Sequence, residues 1–215
     1  MTSTSRELLS SAAEELELAG CPSPRVDAEW LLAHALGVTR TELCADGDHP
    51  LTVARRQRFG ELMARRVQRE PLAYVLGEWG FRRLTLRVDS RVLIPRPETE
   101  SLVERCLELL EGLSEPRVLD IGVGSGAIAL AIADEHPGAR VVATDSSPGA
   151  LGVAGENRRR TGLTARVELV PGELFAGLEG PFDLVVSNPP YVALDEVDGL
   201  DPEVARYEPR EALVA

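Results

Sequence analysis

The chain has 215 residues, 44% hydrophobic and 27% charged, with a net charge of −12, and all 23 of its basic residues are arginine. That length can bury a sizeable core, no run of about 18 apolar residues offers a transmembrane helix, and the N-terminus lacks the apolar stretch of a secretory signal. The acidic balance argues against broad binding to nucleic acid or anionic membranes, while Cys21, Cys44 and Cys106, odd in number and without metal-ligand spacing, predict reduced thiols in a cytoplasmic protein with no metal centre.

The first seventy or so residues read as helices. Thr4 and Glu7 form a capping pair, and Leu8, Leu9, Ala12, Ala13, Leu16 and Ala19 follow at helical spacing until Gly20. Ser23-Pro24 opens a second helix that Gly37 closes, Thr39 and Glu42 pair to open a third, and Thr52 starts a longer one ending before Pro71. Phe59, Leu62, Met63 and Val67 share one face of that last helix, which also carries Arg55, Arg56, Arg58, Arg65, Arg66 and Arg69. The arginines read as a solvated, salt-bridged face, the alternative being a docking surface for an acidic or RNA-like partner. This small bundle contains no catalytic constellation.

Tyr74-Val75-Leu76 and Leu84 to Val88, around Gly77, Trp79 and Gly80, predict a β-hairpin. Ile94-Pro95-Arg96-Pro97-Glu98-Thr99-Glu100 reads as a stiff connector, with Thr99 capping the helix that follows. Beyond Pro116, strands at 117–121, 141–144, 167–170 and 182–186 alternate with helices at 127–133 and 148–160. That alternation predicts a doubly wound α/β domain with a parallel sheet covered on both faces.

Two stretches carry chemistry. After the first parallel strand, Asp120-Ile121-Gly122-Val123-Gly124-Ser125-Gly126-Ala127 places three glycines where the backbone can turn sharply and meet a ligand at a helix N-terminus. The second strand ends in Asp145, whose carboxylate can accept both hydroxyls of a ribose. Taken alone, the loop fits a nicotinamide dinucleotide, the nucleoside of S-adenosylmethionine, or a purely structural turn. The fourth strand decides among them, because it runs into Ser187-Asn188-Pro189-Pro190-Tyr191 at the same carboxyl edge of the sheet. Its prolines leave backbone carbonyls as acceptors, and these with the Asn188 side chain can hold a planar –NH2 group against the ring of Tyr191. Asparagine occurs only twice in the chain, at Asn157 and Asn188.

Together, Leu93 to Glu100, the Asp120–Gly126 loop, Asn188 to Tyr191, Tyr207-Glu208-Pro209 and Ala212-Leu213 resemble the release factor glutamine methyltransferases. The Asn-Pro-Pro-Tyr motif alone is shared with adenine-N6 methyltransferases of DNA and RNA; its joint occurrence with the proline-rich connector is far more specific. The resemblance covers nearly the whole chain. It implies a helical substrate-recognition domain at 1–72, a hairpin linker at 73–92 and a Rossmann-like S-adenosylmethionine-dependent domain at 93–215.

By position, it also implies that Gly122, Val123, Gly124, Ser125 and Gly126 bind the methionine portion of the cofactor and Asp145 its ribose. Glu173 and Leu174 would lie against the adenine, although the family commonly has Asp where this chain has Glu173 and sometimes an aromatic residue at Leu174. Asn188, Pro189, Pro190 and Tyr191 would hold the glutamine of the Gly-Gly-Gln loop of a peptide chain release factor, with Asn188 also bordering the cofactor. Phe81 and the Pro95–Thr99 connector would line the cleft. The family's sheet continues past the apolar ending Ala212 to Ala215, so the resemblance implies a domain truncated at its C-terminus, with the fourth strand an uncovered edge and a monomer at full length. The competing readings are an adenine-N6 methyltransferase and an inactive module that only docks a translation factor.

Overall fold

The computed structural model describes residues 5–46, 49, 51–175 and 177–214. The chain divides into two units, one ending at Leu76 and the other starting at Gly77.

The first unit holds α1 (Ser5–Leu18), α2 (Pro24–Leu36), α3 (Arg40–Asp46), α4 (Val53–Val67) and α5 (Leu72–Leu76). Leu9, Ala12 and Leu16 of α1 meet Leu31, Leu32 and Leu36 of α2 and Phe59, Leu62 and Met63 of α4 in one core. On α1 and α4 the spacing rule that predicted those faces selects residues that pack; on α2 the helical spacing also marks Val26 and Trp30, which are exposed, while Leu32 is buried. The caps differ in how they work. Thr39 and Glu42 close a reciprocal capping box, with Oγ1 accepting from the Glu42 N–H at 3.1 Å and the glutamate accepting from the Thr39 N–H at 2.7 Å. Thr52 caps α4 by accepting from the Arg55 N–H at 3.3 Å. Ser23 occupies the N-cap of α2 without a side-chain cap bond; Pro24, with no N–H to satisfy, sits at the first turn instead. The expected Thr4 cap lies outside the described residues.

Two expectations are corrected here. Tyr74-Val75-Leu76 is not a strand: Pro71 sets up a short helix, its carbonyl accepting from the N–H groups of Tyr74 and Val75 at 3.0 Å each. The strand-like composition of those residues yields to burial of Val75 in the helical core. Arg66 does not belong to a solvated face either, because it is buried against Asp27 with an N···O distance of 2.8 Å.

The second unit opens with the hairpin β1 (Glu78–Phe81) and β2 (Leu84–Arg87), whose register pairs Phe81 with Leu84 and Glu78 with Arg87. Helix α6 (Pro97–Leu109) follows, with Arg96 as its extended N-cap and Pro97 in its first turn. Thr99 is thus not the cap but a buried residue inside the first turn. The proline, placed where its missing N–H costs nothing, sets the start three residues earlier than the threonine predicted.

Then come β3 (Arg117–Ile121), α7 (Ala127–Glu135), β4 (Arg140–Asp145), α8 (Pro148–Arg160), β5 (Val167–Pro171), β6 (Leu184–Ser187) and α9 (Pro202–Tyr207). All three pairings of the β5-β4-β3-β6 sheet are parallel, the α/β Rossmann-like arrangement that the alternating pattern predicts. Val118, Val141, Val167 and Val186 join Val103 and Cys106 of α6, Ala154 of α8 and the whole apolar run of α7 in one core. Strand β6 is an edge of the described sheet, and its Val185 is 48% exposed.

The chain order 3, 4, 5 runs outward from β3 in one direction and β6 lies on its other side, so the order reverses beside β3. A crevice opens at such a switch point, beyond the carboxyl ends of the strands.

Candidate active site

Four strand ends converge there. Gly122 and Val123 leave β3 with both N–H groups donating to the Thr144 carbonyl at 2.9 Å, which bends the loop toward β4. Asp145, at the end of β4, accepts from the Gly124 N–H through one carboxylate oxygen and from the Ser147 N–H through the other, each at 2.9 Å. A carboxylate oxygen has two lone-pair sites, so both retain an acceptor position for a ligand hydroxyl. Ser187, at the end of β6, donates its hydroxyl to the Ile121 carbonyl at 2.8 Å. The Asn188-Pro189-Pro190 turn is thereby tied to the base of the glycine loop.

The result is one cleft of about 290 Å³ whose walls include Gly122 to Ser125, Asp145, Glu173, Leu174 and Asn188 to Pro190. Of the connector, Pro95, Arg96 and Thr99 face it. At Gly122 and Gly124, with φ of +80° and +52°, nothing stands within 4 Å of where a Cβ would be. That open backbone is a cradle the size of a missing side chain, and with the Asp145 acceptors it fits an adenosyl ligand carrying a methionine tail.

Three expected residues stand apart from the cleft. Gly126 (φ +88°) is outside its lining; a Cβ there would meet Leu130 Cδ1 at 2.9 Å, so this glycine serves the packing of α7. Tyr191 is 75% exposed and lies beyond the lining. Phe81, expected along the cleft, is only 1% exposed and belongs to the core. Its strand pairs Phe81 with Leu84, and its side chain is spent on the apolar layer under the sheet.

The structure also brings in residues to which sequence reasoning gave no role. Glu208 is buried and accepts from the Ile94 N–H at 3.2 Å and from the Arg96 guanidinium, clasping the connector to the segment after α9. Burial pushes its carboxyl up, and the Arg96 charge pulls it back. Beyond the Asn-Pro-Pro turn, the Val192 N–H donates to the Leu213 carbonyl at 2.9 Å. The Tyr-Glu-Pro and Ala-Leu motifs are therefore wall-building segments. Asp120, 1% exposed, accepts from the Ala129 N–H at 3.1 Å through Oδ2, while Oδ1 has no partner. Burial first, then the charge of Asp145, raises its carboxyl to about 7 against the pull of that N–H. Among the described residues no group of three or more His, Cys, Asp or Glu side chains is arranged to hold a metal ion.

Comparison with known proteins agrees with this geometry. A family model described as the methyltransferase small domain matches residues 99–200. The hMettl16 catalytic domain, solved with an RNA hairpin, shares the fold at a TM-score of 0.53 and 20% identity, over 72% of this chain and 57% of that one. The fold and cleft thus define a Rossmann-like class I methyltransferase.

A second family model, the PrmC N-terminal domain, matches residues 7–77. The release factor glutamine methyltransferase of Deinococcus radiodurans is 47% identical over 98% of this chain and 74% of its own length. The protein of that name from Caulobacter vibrioides is 41% identical over 99% of this chain and 74% of its own. The one from Rhodospirillum rubrum is 43% identical over 96% of this chain and 63% of its own. The chain belongs to the release factor glutamine methyltransferase family.

Proposed function

We propose that this protein transfers a methyl group from S-adenosylmethionine to the side-chain amide nitrogen of a glutamine in the Gly-Gly-Gln loop of a peptide chain release factor, in the cytoplasm. The observation that carries the reading is the single cleft lined by both the Gly122–Ser125 turn and Asn188-Pro189-Pro190. Family membership supports it, the relatives being named for that activity.

Bound S-adenosylmethionine supplies an electrophilic methyl group on a sulfonium sulfur. The Gly122–Gly124 backbone and the Asp145 carboxylate hold it, with Glu173 and Leu174 at the adenine end. An amide nitrogen is a poor nucleophile because its lone pair is delocalised into the carbonyl. The Asn188 carboxamide oxygen and the carbonyls of Asn188 and Pro189 are acceptors for its two hydrogens. Gripping both hydrogens aims the lone pair and stabilises the positive charge that develops on nitrogen, which then loses a proton. Alignment of this kind is worth on the order of 7–11 kcal/mol without a strong base. Tyr191 is exposed next to the turn in sequence; in this reading its ring covers the glutamine once the substrate loop enters.

The test is transfer of labelled methyl to a release factor, with DNA as a parallel substrate. Asn188→Ala should cut transfer to the release factor by roughly 10²–10³-fold, the loss typical of a preorganised polar group, while cofactor affinity by calorimetry changes little. Transfer that persists in the variant would refute the amide-gripping mechanism, and label appearing on DNA instead would replace the substrate.

A further inference from the structure

The chain has two asparagines, and the catalytic reading uses only Asn188. Asn157, on α8, is 0% exposed, and its carboxamide makes three hydrogen bonds, all to backbone. Its Oδ1 accepts from the Arg87 N–H at 2.7 Å, and its Nδ2 donates to the Arg87 carbonyl at 2.9 Å and to the Ser125 carbonyl at 2.8 Å. A primary amide is the side chain that offers one acceptor and two donors in a plane. A carboxylate there would face two carbonyl oxygens. An apolar side chain would leave all three backbone groups without this partner, the Ser125 carbonyl in a buried position.

The three contacts join elements far apart in sequence, since Arg87 ends β2 and Ser125 lies in the glycine turn. The turn is otherwise held from the β4 side, through the Thr144 carbonyl and the Asp145 carboxylate. Asn157 supplies the hold on its far end. One helical turn earlier, Ala154 Cα stands 3.6 Å from where a Gly126 Cβ would be, so the same face of α8 seats the Ser125–Gly126 peptide.

We infer that Asn157 is a positioning residue: it sets the orientation of the Ser125 peptide in the cofactor turn and links that turn to strand β2, so that cofactor occupancy is felt at Arg87. This rests on the reading of the Gly122–Ser125 turn as the cofactor cradle. Asn157 touches no reacting atom; it acts through the backbone of the turn.

Asn157→Asp and Asn157→Ser in the full chain are assayed for methyl transfer across cofactor concentrations. The expected result is a KM for S-adenosylmethionine raised roughly tenfold or more, the scale of one lost buried hydrogen bond, with kcat changed by less than about threefold. The Asp variant should recover part of its affinity as pH falls, because a protonated carboxyl regains one donor, a trend the unsubstituted protein should lack. If neither variant folds, amide hydrogen exchange of the unsubstituted chain decides: saturating S-adenosylmethionine should slow exchange at Arg87. Folded variants with unchanged KM, or an Arg87 amide indifferent to bound cofactor, would overturn the inference. An unsubstituted chain that binds no S-adenosylmethionine would instead overturn the cofactor reading beneath it.

Discussion

At Asp120, a carboxyl in the interior faces one N–H donor and a neighbouring acid. Its value in the folded chain, about 7, lies above the ordinary 3.8, so the folded state binds the proton more tightly than the unfolded state. Stability from this group is fully present below about pH 4 and is lost as pH rises through about 7. Asp120→Asn keeps an acceptor for the Ala129 N–H and removes the titration. Melting curves should show the variant gaining on the unsubstituted protein between pH 4 and pH 8, whereas parallel pH profiles would show that Asp120 is not the group responsible. In the sequence this aspartate is only the start of the glycine loop. Its lone oxygen, buried beside α7, is a property of packing that no spacing rule reports.

The elements around the cleft are held by a few contacts of long sequence separation. The Glu208 clasp reaches Ile94 and Arg96 across more than a hundred residues. Arg96 is partly exposed and its attraction to Glu208 is screened accordingly, yet Glu208 also satisfies a buried N–H. Glu208→Ala should therefore cost about 1–3 kcal/mol in urea unfolding, and Glu208→Gln, which keeps an acceptor for the Ile94 N–H, clearly less. At Gly126 a methyl group would have to displace Leu130 and accept a left-handed backbone. Gly126→Ala should destabilise by about 1–3 kcal/mol and shift the start of α7. Equal stability of variant and parent in denaturant titrations would mean that Leu130 yields freely.

On the scale of the whole molecule, the two units have separate cores, and every residue lining the cleft lies between Arg91 and Ala212 in the second. In the first unit, Leu32 is fully buried. Leu32→Ala should remove about 2–5 kcal/mol of that unit's stability, measured by denaturant unfolding, while calorimetric affinity for S-adenosylmethionine stays the same. The Asp27–Arg66 pair belongs to the same core. Arginine at 66 reads on the helical wheel as one more member of a charged face, whereas in the fold it is buried against a partner 39 residues earlier.

Local rules determined much of this protein. Glycine and proline punctuation, helical and strand periodicity, and the placing of two polar motifs at the carboxyl edge of a parallel sheet are all short-range properties, and they located α1 to α4, α6 to α8, the four parallel strands and most of the cleft. What short-range rules could not see were competitions settled by distant partners. Tyr74 to Leu76 went helical because burying Val75 in the bundle outweighed strand propensity. Phe81 went into the core rather than the cleft, and Asn157 became a brace between β2 and the glycine turn. Each of those outcomes depends on which side chains meet across tens of residues, and only the closed tertiary structure brings them together.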